Sequence, residues 1–142
     1  MPVFDYLMRW FLTPKPIPMP KPAPEPSPFS DVAVELLRLH NDARGGNGEV
    51  LRLDPALVLF AENWATRMSK AGMTHSRLNF PGSRKAENIT AGQETAGSAM
   101  STWMNSRGHR KNLMNPAYTI AGFGMAKSAR GVPYWCAVFS KP

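Results

Sequence analysis

From Ser30 onward, apolar residues recur at helical spacing. Ala33, Leu36, Leu37 and His40 fall on one face behind a serine able to cap a helix, and Gly45 with Gly46 ends the run. Asp54 followed by Pro55 opens a second helix, with Leu57, Ala61, Trp64, Ala65 and Met68 as its buried stripe and Gly72 as its stop. A third helix is expected over residues 94–105, burying Met100, Trp103 and Met104, with a short helical turn after it over 109–113. The period then changes. Residues 118–127 read as extended, a turn falls at 128–131, and in PYWCAVFS the residues Trp135, Ala137 and Phe139 alternate with Tyr134, Cys136 and Val138. These two segments form a hairpin, and a shorter strand is expected over 87–90. The pattern therefore predicts an α+β domain over residues 29–142, with helices and a small sheet in mixed order. His40, on an apolar stripe, reads as a hydrogen-bonded core histidine. Trp64 and Trp103 read as core on the same spacing argument.

Two other patterns precede the domain. Residues 14–28, PKPIPMPKPAPEPSP, carry proline at every second position, which forbids helix and favours extended polyproline II. Such a linker would reach roughly 45 Å at about 3.1 Å per residue. Residues 1–13, MPVFDYLMRWFLT, place Phe4, Leu7, Met8 and Phe11 on one helical face, with Asp5 and Arg9 able to pair on another. A helical peptide this short builds no core of its own, so its apolar side needs a membrane surface, a partner protein or a neighbouring copy. It reads as a docking or anchoring peptide. It lacks the uninterrupted apolar stretch and cleavage site of a signal peptide, so the reading does not support classical secretion.

Composition narrows the picture. A chain of 142 residues has room for one proper core. Its formal charge of +7 draws it toward anionic surfaces such as phospholipid, wall polymer or nucleic acid. No helix-turn-helix, zinc-finger or aromatic-and-basic strand signature supports sequence-specific nucleic-acid recognition. Cys136 is the one cysteine, so no intramolecular disulfide forms. Between apolar strand neighbours, its thiol reads as core.

The segments LLRLHNDAR, the Trp64 helix, MTHS, AENIT, WMNSRGHRKNLMN and GFGMAKSARGVPYWCAVFS follow one another in order and spacing. In this the chain resembles the CAP superfamily of cysteine-rich secretory, antigen and pathogenesis-related proteins, in its bacterial, SCP-like type. The resemblance covers residues 34–140 and implies an α-β-α sandwich. It also implies a cleft, which in many members carries two His and two Glu. Here His75 of MTHS and Glu87 of AENI take the first His and first Glu. Ser106 stands where eukaryotic members have the second Glu, and Tyr134 where their second His begins the strand motif. Bacterial members carry instead the His of the GHR motif, His109, so the implied site is His75, Glu87 and His109.

Two imidazoles and a carboxylate could form three corners of a zinc site with water at the fourth, so zinc is the cofactor this set leaves open. No local spacing of the HExxH kind shows that they converge. A carboxylate such as Glu87 would orient a loop histidine, and the three are expected to lie together with Glu87 accepting from at least one imidazole. Ser106 and His109, three residues apart, invite a Ser-His-Glu hydrolase reading, but no nucleophile-elbow motif accompanies them and a helix cap is the alternative. Asn88 and Asn112 would satisfy backbone groups or orient the histidines, and Arg110 would place an anionic ligand, as would Lys111. With Tyr134 and Ser106, these are the expected cleft-supporting residues.

Three functions fit. One is an extracellular, envelope-associated module displayed on its tether, engaging envelope lipid or anionic polymer. The second is a hydrolase using His75, Glu87 and His109 as acid-base groups. The third is an assembly protein, for instance on a phage particle, with residues 1–13 docked into a larger structure.

Overall fold

The computed structural model describes residues 18–21, 23, 26–46 and 48–142. The expected docking peptide, residues 1–13, lies outside these, as does part of the linker. The linker residues that are described are exposed and form no helix or strand. Along the described chain run α1 (Asp31–Arg44), β1 (Arg52–Leu53), α2 (Pro55–Ala71), β2 (Arg84–Ala91), α3 (Ala96–Met104), α4 (Arg107–Leu113), β3 (Ile120–Lys127) and β4 (Pro133–Lys141). No helix among the described residues is long and apolar enough to cross a membrane.

Local chemistry sets the helix ends. Ser30 Oγ accepts from the Ala33 amide at 3.3 Å, and Gly45 stops α1 in the left-handed region at φ 57°. Asp54 Oδ1 accepts from the amides of Ala56 and Leu57, both at 3.0 Å, and Pro55 starts α2 where no amide donor is needed. Thr95 and Ser98 form a reciprocal cap that starts α3 two residues later than the apolar pattern predicted. The 87–90 strand is longer than expected, and β1 was not expected at all.

The sheet order is β1-β3-β4-β2, with β1 parallel to β3 and the other pairs antiparallel. Alternation along β4 sends Trp135, Ala137 and Phe139 to one face and Cys136 and Val138 to the other. Helices α1, α3 and α4 cover the first face with Leu36, Trp103 and Leu113. Helix α2 covers the second with Leu57, Ala61, Ala65 and Met68. The result is the expected α-β-α sandwich. Helix α2 lies hard on β3: a Cβ on Gly122 would stand 2.1 Å from the Leu57 carbonyl carbon, and one on Gly124 would stand 2.5 Å from the Glu62 amide nitrogen. Only glycine permits that approach.

His40 is fully buried against Phe123 and Phe139, with Nδ1 2.7 Å from the Leu36 carbonyl. Burial pushes its pKa down to about 4, against a smaller upward pull from that backbone bond. Cys136 is buried, and desolvation raises its thiol well above the usual range, which opposes thiolate chemistry. Trp103 is core. Trp64 is not: it is half-buried, and its indole N–H donates to the Thr74 carbonyl at 2.9 Å. Helical spacing put Trp64 on the inner stripe, but its ring is only partly covered, beside Phe60 and the loop after α2.

Candidate functional site

Strand β2 is an edge strand, so the loop that follows α2 passes beside it. Glu87 pairs across the sheet with Val138 and therefore points to the α2 side, where its side chain is 2% exposed. A carboxylate so buried needs donors, and the loop supplies three. His75 Nδ1 lies 2.8 Å from Glu87 Oε1, the Ser76 amide donates to the same oxygen at 2.8 Å, and the Ser76 hydroxyl donates to Oε2. Ser76 Oγ also accepts from the Leu78 amide at 3.0 Å, turning the chain so that Leu78 sits at φ 52°, a conformation rare for leucine. Lys85 Nζ donates to the Leu78 carbonyl at 3.3 Å. The loop is thus folded around Glu87.

His75 itself is 62% exposed. With Nδ1 held by the carboxylate, Nε2 is the ring nitrogen left to face a ligand. It opens on a cleft of about 300 Å³ whose walls include Ser76, Lys85, Asn112 and Tyr118. The sequence reading named His75 and Glu87 but not Ser76, Lys85 or Leu78. The serine stood in plain sight after the histidine of MTHS, yet nothing local announces that its hydroxyl reaches a strand eleven residues on.

On the opposite face, α4 is docked to β2 through amides. Asn88 Nδ2 donates to the His109 carbonyl at 2.9 Å, and Asn112 Nδ2 donates to Asn88 Oδ1 at 2.9 Å. This clamp brings His109 close enough to His75 for their charges to repel. Its pKa is lowered first by desolvation and then by His75. His109 is half-buried, its Nδ1 has no partner among the described residues, and it is not one of the residues walling the His75 cleft.

Three supporting residues sit elsewhere than expected. Ser106 occupies the N-cap position of α4 but makes no capping bond with its side chain. Its hydroxyl therefore does not serve as the helix cap that the sequence left open. Arg110 lines a separate groove, of about 560 Å³, between α3 and α4, with Arg107, Lys111, Met104 and Met114. Tyr134, opposite Ala91 and Ala126 on β4, packs against the α2-side core and does not wall the cleft. It stands four residues along β4 from Val138, the partner of Glu87, and that distance along the ladder is why a motif position did not become a cleft position.

The residues do not fit a three-cornered zinc site. Among the described residues, no group of three or more His, Cys, Asp or Glu side chains is placed to hold a metal ion. The chemistry agrees: three protein donors already hold the two Glu87 oxygens, so this carboxylate is committed to orienting an imidazole and its loop.

Comparison with known proteins gives a consistent result. Residues 37–139 match the cysteine-rich secretory protein family, CAP. Over 42 residues the chain is 50% identical to Uncharacterized protein YkwD of Bacillus subtilis, a stretch that makes up 30% of this chain and 16% of that relative. An extracellular protein containing a SCP domain from Bacillus anthracis superposes with a TM-score of 0.65 at 21% identity, covering 84% of this chain and 45% of the other. The structure of NaASP2 with Zn2+ superposes with a TM-score of 0.64 at 16% identity, covering 80% and 82%. Such structural likeness at low identity speaks to architecture, and the zinc belongs to that neighbour.

Proposed function

The chain belongs to the cysteine-rich secretory protein family, and from that premise we propose that its domain is an extracellular module that engages anionic cell-envelope material, polymer or lipid, along the His75 cleft and the face of α4. The observation that carries this reading is a one-sided charge. After Glu94 the chain has six Lys or Arg and no Asp or Glu. Three of those cations, Arg107, Arg110 and Lys111, are exposed on α4, and among the described residues none forms an ion pair. Their groove has methionine walls and no carboxylate. Guanidinium forks pair with phosphate or carboxylate in bidentate fashion, and no existing ion pair has to break for these cations to turn toward a ligand. In this reading, residues 1–13 anchor the molecule and residues 14–28 hold the domain away from the anchor.

The test is co-sedimentation with isolated bacterial cell walls and with vesicles of anionic or zwitterionic phospholipid, at low and high salt. Each basic residue near an anionic surface contributes about 1 kcal/mol, so Arg107→Ala, Arg110→Ala and Lys111→Ala together should weaken binding roughly a hundredfold, and salt should mimic the variant. Undiminished, salt-insensitive binding by the triple variant would sink the reading.

One observation favours a second reading, a hydrolase. Glu87 is held rigidly beside His75 Nδ1 while the ring stays exposed, the arrangement that orients an imidazole as general base toward water. His109 would then be the second acid-base group. Release of soluble fragments from walls by the wild type and not by His75→Gln would support it.

A further inference from the structure

We propose that the shelf between the middle of α2 and the loop after it, walled by Phe60, Trp64, Arg67 and Arg77, is a binding subsite for an acidic saccharide, a wall-type glycan bearing carboxylates. The proposal rests on the envelope reading and names the polymer. The shelf is a depression of about 290 Å³, with room for a sugar ring, and Ser76 and Asn79 complete its wall. Ser76 is also a wall of the His75 cleft, so a chain lying on the shelf continues toward the exposed imidazole.

Its chemistry suits one class of ligand. Phe60 and Trp64, one turn apart on α2, have rings parallel within 5° at 6.3 Å, giving an apolar wall on which the C–H face of a sugar packs. The indole N–H is already committed to the Thr74 carbonyl, which fixes the ring plane. Against that plane lies the Arg67 guanidinium, 5.1 Å from the ring centroid. A cation held over an indole face keeps N–H donors to offer, and a guanidinium can take a carboxylate through two parallel bonds. Arg77 supplies a second cation, and among the described residues neither arginine has an acidic partner. Ser76 and Asn79 can exchange hydrogen bonds with hydroxyls. A purely aliphatic ligand would leave both guanidinia desolvated and unpaired. A neutral sugar would use the wall but not the cations.

The test is binding of soluble muramic-acid-containing oligosaccharides from bacterial walls to the full chain, read by calorimetry and by the NMR signal of the Trp64 indole N–H. The acidic oligosaccharide should bind and shift that signal, and converting its carboxylates to amides should weaken binding at least tenfold. Arg67→Ala with Arg77→Ala should lose tenfold or more, and Arg67→Lys, which keeps the charge but not the fork, should lose most of what Arg67→Ala loses. Both arginines are exposed, so thermal melts should be unchanged. The α4 triple variant should keep its affinity for the oligosaccharide. Equal binding of the amide form, full rescue by lysine, an unmoved Trp64 signal, or tighter binding of a single-stranded oligonucleotide at the same residues would each overturn the proposal. If the oligosaccharide fails while walls and anionic vesicles still sediment the protein through α4, the shelf is refuted and the envelope reading stands. If the oligosaccharide fails and the α4 variant sediments with walls and vesicles as well as the wild type, the envelope reading falls.

Discussion

On one face of the sheet a single helix, α2, rests on the backbone of β3 with two glycines in place of side chains; on the other, α1, α3 and α4 are held off by large aromatics such as Trp103, Trp135 and Phe139. Polar atoms divide the same way. The five buried side-chain nitrogens without a partner among the described residues are His40 Nε2, Arg44 Nε and Nη1, Trp103 Nε1 and His109 Nδ1, and all belong to α1, α3 and α4. The buried carboxylate of the α2 side, Glu87, has its donors in place. Close backbone contact leaves no room for an unpaired polar group, whereas an aromatic layer tolerates one at about 1–3 kcal/mol each. The α2 face is therefore the rigid side from which the His75 loop is hung, and the other face carries the sensitivity to solution conditions.

The largest effect should come from spoiling the close contact. Gly122→Ala would drive a methyl into the α2 backbone, which can retreat only by moving the whole helix, so a loss of about 3 kcal/mol or more is expected in a denaturant melt. A loss under 1 kcal/mol would mean that α2 slides freely and that the two faces do not differ as described.

His40 tests the other face. Its folded pKa of about 4 lies below its unfolded value near 6.5, so the unfolded chain binds the proton more readily between those limits. Stability contributed by the neutral ring is complete above pH 6.5 and falls as pH drops toward 4, by an amount on the order of 3 kcal/mol, with no further change from this residue below that. Melts across this window should show the slope in wild type and its flattening in His40→Leu. A slope that survives the substitution would place the acid sensitivity elsewhere.

Glu87 comes next. Glu87→Ala should cost about 2 kcal/mol by stranding the Ser76 amide and hydroxyl, and should make residues 73–79 newly sensitive to protease, whereas Glu87→Gln, which keeps an acceptor, should cost about half as much. Equal stability of all three proteins would remove Glu87 from its place at the centre of the loop.

How much of this was written locally explains which expectations held. Ser30 and Asp54 cap their helices through amides two or three residues away, so their signals are short-ranged and readable. The alternation of β4 survives because one face meets aromatics and the other meets α2. Two-residue β1 exists only because β3 lies alongside, and no pattern of two residues announces that. Trp64 obeyed helical spacing and is still only half-buried, since spacing gives the angle around a helix and not how much of a large ring its neighbours cover. The motifs marked His75, Glu87 and His109, but the tie through Ser76 and the clamp from Asn88 to the His109 carbonyl span eleven and twenty-one residues. Those distances are set by the fold, beyond the reach of a local reading.

The smallest effect sharpens the comparison most, because it repeats the first substitution on the opposite face. Gly108 lies in α4, and a Cβ there meets nothing within 4 Å. Its φ lies outside the left-handed region, so alanine fits without strain. Alanine exceeds glycine in helix preference by about 0.8–1.0 kcal/mol in a helix interior, largely by restricting the unfolded chain. Gly108 is the second residue of a seven-residue helix, where fewer backbone bonds depend on it, so a gain of roughly 0.5 kcal/mol is the expectation. Gly108→Ala should thus stabilise the fold slightly while Gly122→Ala breaks it, under the same melt conditions. It should also leave Arg107, Arg110 and Lys111 in place, so wall and vesicle binding should hold or tighten as α4 frays less. A destabilisation from Gly108→Ala would mean that α4 packs against something its surroundings do not show, and the contrast between a tight face and a loose one would have to be redrawn around it.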